Sequence, residues 1–333
     1  MPKIKWGVLG AAKIAVEKVI PAMQGGTYTE VVAIASRDGV KAKAAADRLG
    51  IATAHGSYEA LIADPNVDAI YNPLPNHLHL PLTRAAAEAG KHVLCEKPIG
   101  LTAAEARELV AIRDRTGVVI QEAFMVWTHP QWRKAVELCR SGALGDVHGY
   151  SGAFSYYNDD PSNIRNVVEW GGGAIMDIGC YLVITSRMIF GEEPRRVMAL
   201  VQRDPSSGVD VLSSMMLDFP SGQAVGICST RMVPYQRVQV FGTTKRLEVE
   251  IPFNAPPDRP CRMWMDDGGD LSGGNVETMT VDTVDQYRVQ GDLLSKAILD
   301  KVPQPYPLEM SVRNMDIIDA LFRSATSGHW ETV

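Results

Sequence analysis

Lys97 lies in the run His92-Val93-Leu94-Cys95-Glu96-Lys97-Pro98, and eighty residues further on Asp177 and Tyr181 stand four apart in a segment that continues in helical fashion to Phe190. An ammonium, a carboxylate and a phenol together suggest hydride transfer at a carbinol, where one group must carry the hydroxyl proton and another must stabilise charge. Proline pushes the preceding residue out of the helical region, so Lys97 is expected at a strand end or turn with its side chain facing a cleft. Asp177 and Tyr181, at i and i+4, share one face of a helix otherwise rich in Ile, Met, Val and Phe. Such a pair is poorly explained as solvent-facing; a buried tyrosine bonded to a structural aspartate is the competing explanation.

The elements that position these groups read as strands alternating with helices. An apolar run, Ile4 to Leu9, leads into Gly10-Ala11-Ala12-Lys13-Ile14-Ala15 and a short helix through Met23. Strands follow at Val31 to Ala35, Asp68 to Asn72, His92 to Cys95 and Val118 to Gln121, with helices at Val40 to Leu49, Leu80 to Ala89 and Ala103 to Arg115. That alternation predicts an α/β Rossmann domain with a doubly wound parallel sheet. Beyond Glu122 the texture changes. A helix from about Gln131 to Arg140 precedes alternating strands at Val147 to Tyr156, Arg196 to Gln202, Leu212 to Phe219, Ala224 to Thr230, Arg237 to Phe241 and Leu247 to Ile251. These predict an α+β domain with a large, mainly antiparallel sheet. The chain is therefore expected to divide into residues 1–122 and 123–333, with the last helix packing back on the first domain.

Within the first domain, Gly10, Ala12 and Ala15 form a G-x-A-x-x-A variant of the dinucleotide fingerprint. The glycine permits the tight turn, the alanines still allow close backbone approach, and phosphate would sit on the helix N-terminus formed by Gly10, Ala11, Ala12, Lys13 and Ile14. After the second strand the chain reads Ala35-Ser36-Arg37-Asp38. Serine in the position usually acidic in NAD enzymes avoids repelling a 2′-phosphate, and Arg37 can clamp it, which favours NADP; Asp38 keeps NAD as the alternative. Asn72-Pro73-Leu74-Pro75-Asn76-His77-Leu78-His79 follows a strand, at the carboxyl edge where ligands bind in open α/β sheets. His77 and His79 lack a third ligand, and no metal is expected.

Composition excludes other classes. With 333 residues, 46% hydrophobic, the chain is long enough for two cores. A net charge of -6 gives no basic field for nucleic acid or anionic membrane. Cys95, Cys139, Cys180, Cys228 and Cys261 are scattered and odd in number, as expected of reduced thiols. The N-terminal residues enter the first strand without a signal-peptide pattern and no run of 18 apolar residues occurs, which points to a cytoplasmic protein.

The chain resembles the Gfo/Idh/MocA oxidoreductase family over almost its entire length. The resemblance rests on the fingerprint, Ala89-Gly90-Lys91-His92-Val93-Leu94-Cys95 with Glu96-Lys97-Pro98, Glu122-Ala123-Phe124-Met125, His129-Pro130-Gln131, Asn163-Ile164-Arg165, and Gly171-Gly172-Gly173 with Asp177-x-Gly179-x-Tyr181. It implies a nucleotide-binding domain followed by an open-faced sheet domain that forms a homodimer or homotetramer. Many relatives carry histidine at the position of Tyr181; tyrosine marks the branch that resembles glucose-fructose oxidoreductase, NADP-dependent xylose dehydrogenases and dimeric dihydrodiol dehydrogenase. The implied chemistry is oxidation of an aldopyranose at C1 to a lactone, with a cyclic trans-diol dehydrogenase or dicarbonyl-sugar reductase as the alternative. A non-catalytic NAD(P)- or sugar-sensing regulator is a third reading, disfavoured by the presence of Lys97, Asp177 and Tyr181. On this resemblance Lys97, Tyr181 and Asp177 are catalytic, and Lys97, Trp127, Arg165, Asp177 and Tyr181 bind a carbohydrate or polyol. Ser36, Arg37, Asn72, Pro73, Leu74, Asn76, His79, Glu96, Lys97 and Arg165 join the fingerprint residues in holding the cofactor. The sugar branch often has Tyr-Arg-Phe where this chain has Val126-Trp127-Thr128. Trp127 there either stacks on a sugar ring or packs into the fold.

Overall fold

The computed structural model describes all residues, 1–333. The chain opens with β1 (Ile4–Leu9), whose Trp6, Val8 and Leu9 are wholly buried, and continues through α1 (Ile20–Gln24), β2 (Thr29–Ala35), α2 (Gly39–Leu49), β3 (Thr53–His55) and α3 (Tyr58–Ile62). It then runs through β4 (Ala69–Asn72), α4 (His79–Glu88), β5 (His92–Cys95), α5 (Ala103–Thr116) and β6 (Ile120–Glu122). The six strands form one parallel sheet in the order β3-β2-β1-β4-β5-β6. The doubly wound sheet read from the sequence is thus present. The order reverses between β1 and β4, and the crevice beyond the carboxyl ends of those two strands is where such sheets take ligands.

The second sheet is built from β7 (Val147–Tyr157), β8 (Arg196–Arg203), β9 (Asp210–Asp218), β10 (Gln223–Ser229), β11 (Arg231–Gly242), β12 (Arg246–Val249), β13 (Cys261–Asp266), β14 (Glu277–Val281) and β15 (Glu331–Thr332). Its order is β14-β13-β12-β11-β7-β10-β9-β8-β15, and every pairing except the parallel β10–β7 is antiparallel. Between β7 and β8 lies α7 (Cys180–Phe190), preceded by a wide π-helical turn over Ile175–Gly179; α6 (Pro130–Arg140) precedes β7. Leu182 of α7 presses onto Gly152 of β7 and Gly226 of β10, where a side chain would collide with it. Residues 168–190 are apolar and long enough to cross a membrane by composition, yet 89% of that stretch's most apolar window is buried in the fold, which makes it a core helix. On the sheet's other face Leu200, Met216, Val225, Ile227 and Phe241 are exposed.

Two helices close the chain, α8 (Gln286–Asp300) and α9 (Leu308–Ser327). The contacts divide the molecule into one unit of 1–128 with 285–315 and another of 129–284 with 316–333. The first unit therefore extends past 122 and takes back α8, the penultimate helix, in addition to the start of α9. The reason is local. The Trp6 indole N–H donates to Ser295 Oγ at 3.0 Å, both groups being buried, and Asp292 accepts the backbone N–H groups of Thr27 and Tyr28 at 3.0 and 2.8 Å. An apolar helix face read from sequence says that a helix packs, not against what. Replacing Ser295 by Ala leaves the Trp6 N–H buried without its acceptor and is expected to cost about 1–3 kcal/mol, read as a lower urea midpoint; an unchanged midpoint contradicts the docking of α8 on β1.

Candidate active site

The turn after β1 depends on its glycine. Gly10 has φ +83°, its N–H donates to Ala35 O at 2.7 Å, and a Cβ there would lie 2.7 Å from Leu74 Cδ2. Leu74 belongs to the loop after β4, so the two turns that flank the switch point touch through a missing side chain. The Ala12 carbonyl accepts Val16 N–H at 3.0 Å, and Ala11, Ala12 and Ile14 are partly exposed while Lys13 is exposed. That leaves main chain open at the start of the helical segment, as a diphosphate requires.

After β2, Ser36 N–H donates to His55 O at 3.2 Å and Arg37 is exposed. Asp38 is otherwise engaged. Its carboxylate accepts Val40 and Lys41 N–H at 2.9 and 3.3 Å as the N-cap of α2. That use draws it into the helix, and the end of β2 offers a serine and an arginine, a fit to a phosphorylated ribose. Burial, and then the charge of Arg37, hold the His77 imidazole below its ordinary value.

The loops after β4 and β5 are tied together by His79. The side chain is wholly buried, with Nδ1 2.7 Å from Pro98 O and Nε2 2.7 Å from Leu74 O. Burial, the largest influence, pushes its pKa down to about 4 against the two carbonyls, which favour the charged ring. His79 therefore acts on the cleft as a staple behind its surface. Asn72, also buried, donates to Thr83 Oγ1 at 3.3 Å and accepts Leu74 N–H at 3.3 Å, which shapes Pro73 and Leu74; Asn76 is only partly exposed. The Lys97–Pro98 peptide is cis. Glu96 accepts Tyr71 OH at 2.7 Å and Lys97 N–H at 3.3 Å, while buried Glu122 accepts Ile99 N–H at 2.8 Å. Lys97 thus stands in a turn gripped on three sides, at the end of β5. The Trp127 indole donates to Pro305 O at 2.8 Å and its ring meets Tyr306 edge-on at 5.0 Å, the packing alternative for that residue.

In the second unit Asp177 occupies the wide turn and Tyr181 the first turn of α7. Asp177 Oδ2 accepts Tyr156 OH at 2.6 Å and Arg165 Nε at 2.8 Å. Burial, then the Asp177 carboxylate, pushes the Tyr156 phenol far above its ordinary range, so Tyr156 stays a donor. Asp177, and more weakly the phenols of Tyr156 and Tyr181, hold Arg165 firmly cationic. Tyr181 is 5% exposed, its ring packed against Phe154 and Phe253 at 5.9 and 5.4 Å. The glycine run serves this cluster: Gly173 N–H donates to Arg165 O at 2.9 Å, and a side chain on Gly172 would strike that same carbonyl. Tyr71 and Tyr156 escape sequence reasoning, and Glu122 enters it only as part of a motif, with no role. Tyr156 and Tyr157 look alike in a strand, and only the pleat, which leaves Tyr157 exposed, separates them.

The neutral His79 staple makes stability depend on pH. Its folded-state value near 4 lies below an unfolded value of about 6.5, so the unfolded chain takes up the proton first as pH falls. Its contribution is complete above about pH 6.5 and drains away toward pH 4. His129, pushed down to about 4 by burial, acts in the same direction. Urea midpoints at pH 7.5 and pH 5 should differ less in His79→Gln than in the wild type; equal differences contradict a neutral His79.

Residues 4–124 match the family described as oxidoreductase family, NAD-binding Rossmann fold, and residues 132–248 match the GFO/IDH/MocA C-terminal domain. An uncharacterized oxidoreductase of Rhizobium meliloti is 46% identical, with all of both chains covered. A D-xylose 1-dehydrogenase (NADP(+)) of Haloferax volcanii is 40% identical over 97% of this chain and 98% of its own. Among solved structures, a 3-ketoreductase from Actinomadura kijaniata, in complex with NADP and TDP-benzene, superposes with a TM-score of 0.90 at 28% identity, covering 97% of this chain and 98% of the other. The chain belongs to the GFO/IDH/MocA family of NAD(P)-dependent oxidoreductases.

Proposed function

We propose that the protein is an NADP-dependent sugar dehydrogenase that oxidises an aldopyranose at C1 to the lactone. The observation that carries the reading is the end of β2, where Ser36 and Arg37 remain for a ribose phosphate once Asp38 caps α2. The likeness to the NADP(+)-dependent xylose dehydrogenase over nearly the whole of both chains supports the choice of an aldose.

NADP, when bound, supplies the hydride acceptor. Gly10, Ala11, Ala12, Lys13 and Ile14 hold its diphosphate, Ser36 and Arg37 its 2′-phosphate, and the residues from Asn72 to Asn76 with Glu96 line the cleft. Tyr181 takes the carbinol proton in oxidation and returns it in reduction. A phenol ordinarily loses its proton near pH 10, and a neighbouring ammonium favours its phenolate; Lys97 is the residue this reading assigns to that task. Asp177 orients the sugar hydroxyl, and Arg165, whose Nε is spent on Asp177, has its terminal nitrogens to offer the substrate or the cofactor phosphate. The 28% identity to a 3-ketoreductase keeps one second reading, reduction of a keto sugar by the same residues running in reverse. We infer that the exposed apolar face bearing Leu200, Met216, Val225 and Ile227 joins two copies of the chain, since a patch of that kind marks an interaction surface.

Aldoses, ketoses, keto sugars and cyclic diols assayed by absorbance with NADP and with NAD test the reading. D-xylose or a related aldose with NADP should give the highest kcat/KM. Tyr181→Phe and Lys97→Ala should each lower kcat about 100-fold or more while NADPH still binds. Arg37→Ala should raise KM for NADP about tenfold and leave that for NAD nearly unchanged. Full turnover in both catalytic variants, or equal use of NAD by the wild type, contradicts it.

A further inference from the structure

The wide turn that carries Asp177 has no cap of its own. Ala174 stands before it and offers no side-chain acceptor, so the cap comes from β9, far along the chain. Asp210, 1% exposed, accepts the Ile175 backbone N–H at 2.7 Å and the Ser213 hydroxyl at 3.1 Å, both on Oδ2. Its other oxygen fills the space that a side chain at 173 would need, and Gly173 has φ +120° there. The fit between Gly173 and Asp210 is thus one that no other residue at 173 allows. A buried carboxylate is costly unless hydrogen-bonded, and this one is spent on a main-chain donor at the positive end of a helix.

What the cap holds is the register between two functional groups. A π-helical turn carries one residue more than an α turn, and such turns concentrate at functional sites. Were the turn to relax to α-helical winding, residues before it would rotate by about 100° relative to α7. Asp177 would then leave Tyr156 and Arg165, or pull them with it.

We propose that Asp210 is a positioning residue for the reaction, capping the wide turn from β9 and so fixing Asp177 relative to Tyr181. The proposal rests on Tyr181 as the proton carrier. With D-xylose and NADP as probes, or the best aldose of the panel, Asp210→Ala should lower kcat about tenfold or more and shift the pH dependence of kcat. The dissociation constant for NADPH should change far less than kcat, by no more than about threefold, because every residue assigned to the cofactor except Arg165 lies in the first unit. Asp210→Asn, which still presents an oxygen to Ile175 N–H, should recover kcat to within about threefold of wild type. Ser213→Ala trims the same contact and should give an intermediate loss with the same shift in pH profile; it provides the reading if Asp210→Ala does not fold. A wild-type kcat and pH profile in Asp210→Ala or Ser213→Ala overturns the proposal, as does an Asn variant no better than Ala. Tyr181→Phe separates the premises. If it is inactive while Asp210→Ala is fully active, only the positioning role fails; if it retains full turnover, the role of Tyr181 fails and the proposal with it.

Discussion

The interaction on which the first unit depends is the seat of the buried His79 ring between two carbonyls, Nδ1 2.7 Å from Pro98 O and Nε2 2.7 Å from Leu74 O, one of which takes the N–H of the neutral ring. A lysine ammonium serves a reacting centre only if the backbone beneath it is fixed. The Lys97 turn is fixed by that imidazole, by Glu122 on Ile99 and by Glu96 on Lys97 itself. The other end of the staple reaches further. Leu74, whose carbonyl His79 holds, covers the face of Gly10 where a side chain is missing, so the fingerprint turn, the β4 loop and the Lys97 turn form one connected cluster. A neutral imidazole has one proton for two carbonyls, and burial accepts that mismatch as smaller than the cost of a charge with no water around it.

The second unit solves the same problem with a carboxylate at the centre. Asp177 gathers a phenol and a guanidinium, and the segment that supplies the guanidinium is itself tied back by its main chain. Arg231 reinforces that segment from β11: it donates to the Asn158 carbonyl and to Asn166 Oδ1, and Asn166 donates to Asp160 O at 2.7 Å. Two of the three successive glycines are then accounted for by proximity, and Gly171, at φ +77°, by its left-handed backbone. Gly172 and Gly173 pass so close to Arg165 and Asp210 that a side chain at either would break the cluster.

Much of this was legible in the sequence, for reasons that differ by element. β1, β2, β4 and β5 are short apolar runs bounded by glycine, proline or helical stretches, and the parallel sheet follows from their alternation. β3, with three residues, and β15, with two, are too short to show a period, β13 places the charged Arg262 between Cys261 and Met263, and β14 has only two apolar residues, separated by a threonine. Lys97, Asp177 and Tyr181 stand out because polar groups are rare in such segments. Their supports do not, since a buried Glu122 or Asp210 looks like any other acid until the fold encloses it. The wide turn at Ile175–Gly179 has no proline to announce it, and Gly179 at its end does not by itself distinguish a π turn from an α turn. Asp38 carried its signal openly, an aspartate just ahead of a helical run, and its capping role competes with the ribose role that its place after β2 also suggests.

The proposed hydride transfer from the anomeric carbon of an aldose to a nicotinamide can be followed by isotope. The best aldose substrate deuterated at C1, turned over with NADP, should deliver its label to the reduced cofactor in equal amount to the lactone formed, as read by mass spectrometry or NMR. Unlabelled reduced cofactor, with the deuterium still on the sugar or lost to water, would contradict the account.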